Sequence, residues 1–424
     1  MMNDDLLTQR YLDGTISAEE LTVFQQRLRE DAALRGELRE IAEQAVAFGD
    51  LARSEPLSAP APKAKAEPPR LSWLALAASV AVLGASVWLF LSGRPDPVLT
   101  LVECTGTVTT SDGTSLSPNE RLTAGTITTI GEASTALLRF SDGTLITLHG
   151  ETELTFSEEH QKILALSRGN LSAEVKPQPA GRPMLVRTPS AVAEVVGTAF
   201  DLTARPEDTL LKVNEGLVKL KRLADGREVD VSANRSAVAS LDAGTSLDAA
   251  STPEPLTQWR FDFATTTPPR DWRGISRDGV MHASPYVAKK LEDGRVITHY
   301  GVSIRTAMLE QPLRLLATEH SVVKFRLRQA EIGSLQLMLL TNRPEGGFGG
   351  NFECKIGAEE LQPDADGWCE IAIPVVRFEP IDARPHVRKR HPTAAGNVIT
   401  SAIVSSFRED RKLEVVRFEL SGKK

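Results

Sequence analysis

Two short stretches late in the chain carry side chains suited to recognising a ligand. The run DARPHVRKRHP gathers Arg384, Arg388, Lys389 and Arg390 with His386 and His391 into eleven residues. Several cations this close together make either a solvated loop or a docking point for an anionic polymer. In NRPEGGFGGNF, Phe348 stands among four glycines. That arrangement is either a merely mobile loop or a way of presenting an aromatic ring for stacking on a sugar. Cys354 and Cys369 flank a loop of about fifteen residues. Paired, they would restrict the unfolded chain by about 3 kcal/mol in the loop-entropy picture. Cys104 is then left over, and its spacing offers no metal-site pattern.

Other chemistry finds little support. His386 and His391 have no ligand-like spacing with nearby carboxylates, so no metal site is expected. His149 and His160 read as solvent-facing or packing residues. Glycoside hydrolysis needs two carboxyl groups at a defined separation, and no motif proposes such a pair. No nucleophile motif or phosphate loop stands out. The expectation is a protein without a catalytic residue, metal or cofactor, and not an enzyme.

These loops must be positioned by larger elements. The chain has 424 residues and a formal charge of −7, a length that suggests two or three domains and a balance that argues against nucleic acid as a direct partner. Residues 71–92, LSWLALAASVAVLGASVWLFLS, contain no charge and no proline. As a helix they would span about 33 Å, enough to cross a bilayer. Lysines and an arginine precede the segment and one arginine follows it. The expected topology is therefore single-pass, with a cytoplasmic N-terminus and periplasmic C-terminal domains in the inner membrane.

Ahead of that segment, residues 1–53 read as short helices. Ser17 and Glu20 form a capping box, followed by Leu21, Phe24 and Leu28 at helical spacing. Leu34, Leu38 and Ile41 continue an apolar stripe. Eleven acidic residues against six arginines give this piece −5. So small a helical module buries too little surface to stand alone, and these six apolar residues are the expected partner-binding face. Residues 54–70 are a proline-rich linker.

From 99 to 241, short apolar alternations are separated by S-D-G and N-E-G turns, the pattern of an all-β domain. Residues 242–255 read as a polar linker, and 256–424 as a β-sandwich. Pro189 ends one segment, Gly197 allows close backbone approach, and Phe200 supplies core. The fold class expected is α plus all-β and multidomain: a helical domain, one membrane helix, a β domain and a β-sandwich.

YLDGTISAEELTVFQQRLREDAALRGELRE resembles the N-terminal domain of FecR-type anti-sigma regulators. VRTPSAVAEVVGTAFDL with VNEGLVKL resembles the central FecR signature, matched at Thr188, Pro189, Gly197, Thr198, Phe200, Glu215 and Gly216. DADGWCEIAIPVVRFEP with LEVVRFEL resembles galactose-binding-like jelly rolls, many of which bind glycans. These resemblances imply a membrane regulator whose inner helices hold an extracytoplasmic-function sigma factor while its outer β domains sense an envelope signal. The competing expectation is an envelope-anchored protein that binds glycan or protein and has no sigma-factor activity.

Overall fold

Period-two alternation decides this fold. In the strand Leu145–Leu148, Ile146 and Leu148 are fully buried, while Leu145 and Thr147 face the other way and stay half-buried. Successive Cβ atoms of a strand point to opposite faces, so each such strand has a core side and an outer side. The structure, a computed structural model, describes residues 98–422 apart from 159, 292, 293, 307, 308, 310–312 and 383.

Fourteen strands between Leu99 and Ser251 join into one hydrogen-bonded sheet. Six of them build the site: β1 (Leu99–Thr110), β2 (Gly125–Phe140), β3 (Leu145–Leu148), β4 (Lys162–Glu174), β5 (Ala199–Ala204) and β6 (Asp208–Glu215). Each is antiparallel to the next. Their register aligns Leu138, Ile146, Ala173, Phe200 and Val213 in one core row. One residue away, on the opposite face, it aligns Glu103, Leu137, Thr147, Ser172, Asp201 and Lys212. Leu145, Glu174, Ala199 and Glu215 form a parallel outer row. The core row is buried throughout; the outer rows are what a second body can cover.

That second body is a sandwich of a six-stranded and a seven-stranded sheet, built from residues 259–421. The seven-stranded sheet includes β7 (Val296–Arg305), β8 (Leu335–Asn342), β9 (Phe348–Ile356) and β10 (Val398–Ser406), paired in the order β7, β10, β8, β9. Phe325 and Phe418 from one sheet and Phe352 from the other are fully buried in the core between them. Each such ring contributes about 2–3 kcal/mol by leaving water. The residues expected to be a linker are partly ordered by pairing, since the strand Ala250–Ser251 adds to Arg235–Ser240. The described residues belong to one compact unit.

Two expectations are corrected. The described chain is almost wholly β, with one α-helix, α1 (Pro385–Arg390), of six residues. It is not the α plus all-β assembly expected. Among the described residues no helix is long and apolar enough to cross a membrane, so the single-pass inner-membrane topology with periplasmic domains is withdrawn. The segments assigned to it, 1–53, 54–70 and 71–92, lie outside the described residues. Cys354 and Cys369 are buried free thiols, as Cys104 is a partly buried one. They stand on strands of opposite sheets, in β9 and in Trp368–Pro374, and pack in the core as small apolar side chains.

Candidate functional site

The seam between the two bodies is ionic at one end. Glu132, whose side chain is 2% exposed, accepts from Arg273 and from Ser303 Oγ at 3.0 Å, with Arg305 at 3.4 Å. Glu151 also accepts from Arg273, and from Arg305 at 2.7 Å. Burial pushes the Glu132 carboxyl up, but Arg305 and Arg273 outweigh it and hold it below the usual carboxylate range. Arg273 also lies over the Tyr286 ring, 4.5 Å from its centroid. Both glutamates come from the fourteen-stranded body and both arginines from the sandwich. Glu151 takes a left-handed backbone, φ 56°, to stand in this cluster, a conformation that costs a non-glycine residue energy.

The seam's other end centres on Glu103 in β1. Arg390, His386 and Arg384 approach its carboxylate at 3.3, 3.6 and 3.8 Å. Arg384 also holds Asp382 and donates to the Cys104 carbonyl at 2.7 Å. The Asp382 carboxyl is raised by burial but pulled down further by Arg384 and Thr105, to about 2. The basic run is therefore largely engaged within the protein. Arg388 reaches Glu379 at 3.5 Å, and His386, Arg388, Lys389 and Arg390 all keep exposed surface.

Between these ends the outer rows meet the glycine loop. Asp201 accepts from Ser172 Oγ at 2.5 Å, from Asn214 Nδ2 at 2.9 Å and from the Gly347 backbone N–H at 3.1 Å. His149 Nε2 lies 3.0 Å from the same Ser172 oxygen. Since that hydroxyl donates to Asp201, His149 must donate to it, which fixes the Nε2–H tautomer. Serine is thus in the middle of the trio, whereas nucleophile activation needs the imidazole there to take the hydroxyl proton. This is a positioning network. Its last member is Phe348, directly after Gly347, whose ring meets His149 edge-on at 5.5 Å and His391 at 5.1 Å.

A cleft of about 1070 Å³ opens along this seam. Its floor is the outer sheet face, with Thr135, Leu137, Leu145, Thr147 and Ser172. Its opposite wall is the loop from Arg343 to Gly349, with Arg390 and His391. Glu174 and Arg343 join across it at 3.0 Å. Gly346 is required: a Cβ there would stand 2.0 Å from Asn214 Cγ, and its φ is 112°. Two buried polar atoms on the cleft residues, Thr198 Oγ1 and Asn214 Oδ1, have no hydrogen-bond partner.

The residues singled out in the sequence separate accordingly. Phe348, Arg390, Gly197, Thr198 and Glu215 all line this cleft. Thr188 and Pro189 do not: Thr188 Oγ1 accepts from the Ala191 N–H at 3.0 Å and shares a hydroxyl cluster with Thr209. Phe200 is core, and Gly216, at φ 84°, packs its backbone on Thr198. Leu21, Phe24, Leu28, Leu34, Leu38 and Ile41 lie outside the described residues. Asp201, Ser172, His149 and the Glu132 cluster were missed, because strand register brings Ser172 to Asp201 and only the meeting of the two bodies brings Arg273 and Arg305 to Glu132. Among the described residues no three His, Cys, Asp or Glu side chains are grouped to hold a metal ion.

Comparison with known families matches residues 126–219 to FecR protein. No curated protein matches the chain. Among solved structures, a "putative anti-sigma factor" from Parabacteroides distasonis is 18% identical over 30% of this chain and 60% of its own, with a TM-score of 0.27. The chain thus spans about 60% of that protein's length. A family 11 carbohydrate-binding module from Clostridium thermocellum is 14% identical over 40% of this chain and 94% of its own, TM-score 0.21. A family 43 arabinoxylan arabinofuranohydrolase from Bacillus subtilis is 8% identical over 76% of this chain and 79% of its own, TM-score 0.20. Likeness this low carries no argument for this chain.

The identification as a transmembrane anti-sigma regulator is accordingly corrected. What remains is a partial FecR match, without a membrane-spanning helix or a sigma-binding helical domain among the described residues. The sigma factor and the lipid bilayer are withdrawn as partners, and signal transduction across a membrane as the activity.

Proposed function

We propose that this chain is a carbohydrate-binding protein that holds a glycan in the cleft between its two β bodies. Sugars offer flat faces of C–H groups edged by hydroxyls. Their recognition needs an aromatic or apolar surface together with a few fixed polar groups, in a concave site. The observation that carries the reading is the placement of the Phe348 ring on a cleft of about 1070 Å³, opposite a floor that mixes leucines with threonines. Phe348 is held there by edge contacts to His149 and His391, so little ordering is left for the ligand to impose.

The reading is of binding without turnover. Glu174 and Glu103, the carboxylates on the two sides of the cleft floor, lie 3.0 Å from Arg343 and 3.3 Å from Arg390. Each of these carboxylates is thus already engaged by an arginine of the facing wall, which leaves neither unengaged for the two-carboxyl chemistry of glycoside hydrolysis.

The test is titration of the full-length chain against a panel of soluble oligosaccharides, followed by Phe348→Ala. Binding of at least one glycan, weakened about tenfold or more by the substitution with folding retained, is expected from loss of a central aromatic contact. A folded protein that binds no glycan overturns the reading.

A further inference from the structure

Resting on the carbohydrate reading, we infer that the cleft takes an internal stretch of an extended polysaccharide, laid across the strands of its floor, and neither a single sugar nor a chain end. The lining begins at Glu103 on β1, continues through Leu137, Leu145 and Glu174, and finishes at Ala199 and Glu215 on β5 and β6. It therefore crosses six adjacent strands. Strands lie about 4.8 Å apart, so the floor is about 24 Å long, measured along the sheet. A sugar ring in an extended chain advances by about one strand spacing, which gives the floor room for about five rings. Volume agrees. Pockets of about 300–1,000 Å³ bury a whole drug-sized molecule, and a cleft of about 1070 Å³ is more than a single ring would fill.

Phe348 stands near the middle of this floor. Its ring meets His149, the residue directly after β3, and the neighbouring Gly347 is bonded to Asp201 on β5. One aromatic ring covers one sugar, so the floor extends beyond it on both sides. Neither end is closed by buried groups: Gly197 and Glu215 at one end, and Arg390 and Pro392 at the other, are exposed. A site that reads a chain terminus encloses it, whereas this one meets solvent at each end. The Glu174–Arg343 pair that ties floor to wall keeps 56% and 43% of its side chains exposed, and each group retains hydrogen-bonding positions for sugar hydroxyls.

The experiment is a chain-length series on the full-length chain: mono- to hexasaccharides of the glycan that binds, then its soluble polymer, followed by titration calorimetry. Affinity is expected to rise at least about tenfold from disaccharide to tetrasaccharide, to level off near about five sugars, and to stay within about threefold per site on the polymer. Glu215→Ala, at the exposed β6 end, is expected to move the plateau about one sugar shorter, while a trisaccharide centred on Phe348 binds within about twofold of wild type. A monosaccharide or disaccharide that binds as tightly as the tetrasaccharide, a polymer that does not bind, or a length profile unchanged by Glu215→Ala overturns the inference and leaves the carbohydrate reading standing. Failure of every glycan to bind removes both.

Discussion

Gly347 donates its backbone N–H to Asp201, 3.1 Å from Oδ1 and 3.3 Å from Oδ2, although the two residues are 146 positions apart. That bond ties the glycine loop of the sandwich to the outer face of β5, and Phe348 is the next residue along. The ring's position is therefore set from the opposite body. Flexibility suggested by four surrounding glycines is not what the loop displays: its turn is closed by Gly346 N–H to the Arg343 carbonyl and Arg343 N–H to the Gly347 carbonyl, both 2.9 Å.

Asp201→Ala should remove the common acceptor of Ser172, Asn214 and Gly347. Three donors lose a charged partner at once, and a loss of about 3 kcal/mol is expected. Urea unfolding of the full-length chain measures it. A change under about 0.5 kcal/mol would mean that Asp201 does not hold the loop.

Glu132→Ala should be among the most damaging single substitutions in the seam. It strips Arg273 and Arg305, both mostly buried, of their buried carboxylate partner and leaves them only the more exposed Glu151 in the cluster. Breaking a buried ion pair in this way costs about 3–5 kcal/mol. Differential scanning calorimetry of the variant tests this, with Glu379→Ala, which removes only the exposed partner of Arg388, as the control expected to stay near wild type.

Acidification should weaken the fold before its ordinary carboxylates are protonated. Burial drives the His149 imidazole down to about 4, with Asp201 pulling it partly back up. Its folded value lies below the unfolded value near 6.5, so the unfolded chain binds the proton first. Stability is then retained above about pH 6.5 and lost as pH falls toward about 4. Asp382 adds a further loss nearer pH 2, because its carboxyl is held well below its ordinary value. Unfolding midpoints measured between these limits should fall with pH, and His149→Gln should flatten the upper part of the curve. An unchanged curve would show that His149 is not held neutral in the fold.

The β character of the described region was legible because its cause is local. Alternation in TLITL, and the turn glycines between strands, follow from neighbouring residues alone, and Ile146 and Leu148 are buried as that pattern requires. Part of the cleft was legible too. Phe348 was singled out for its glycines, and Gly197 with Thr198 for a motif read as purely structural. Asp201 and Ser172 gave no signal. Nothing near either residue announces the other; they become partners only when β4 and β5 pair at Ser172 and Asp201. The basic run misled in the opposite direction. Its charge is visible in sequence, but the carboxylate that absorbs much of it, Glu103, lies 281 positions before Arg384 and is invisible until the bodies meet.

The ion cluster at Glu132 has a consequence for modularity. A β-sandwich at the end of a chain is ordinarily a bead on a string, free to be cut off, swapped or fused elsewhere. Here Arg273 and Arg305 belong to one bead while Glu132 and Glu151 belong to the other. Excising either half would leave two like charges side by side without the opposite charges they face in the seam. These two halves can be exchanged between proteins only as a pair.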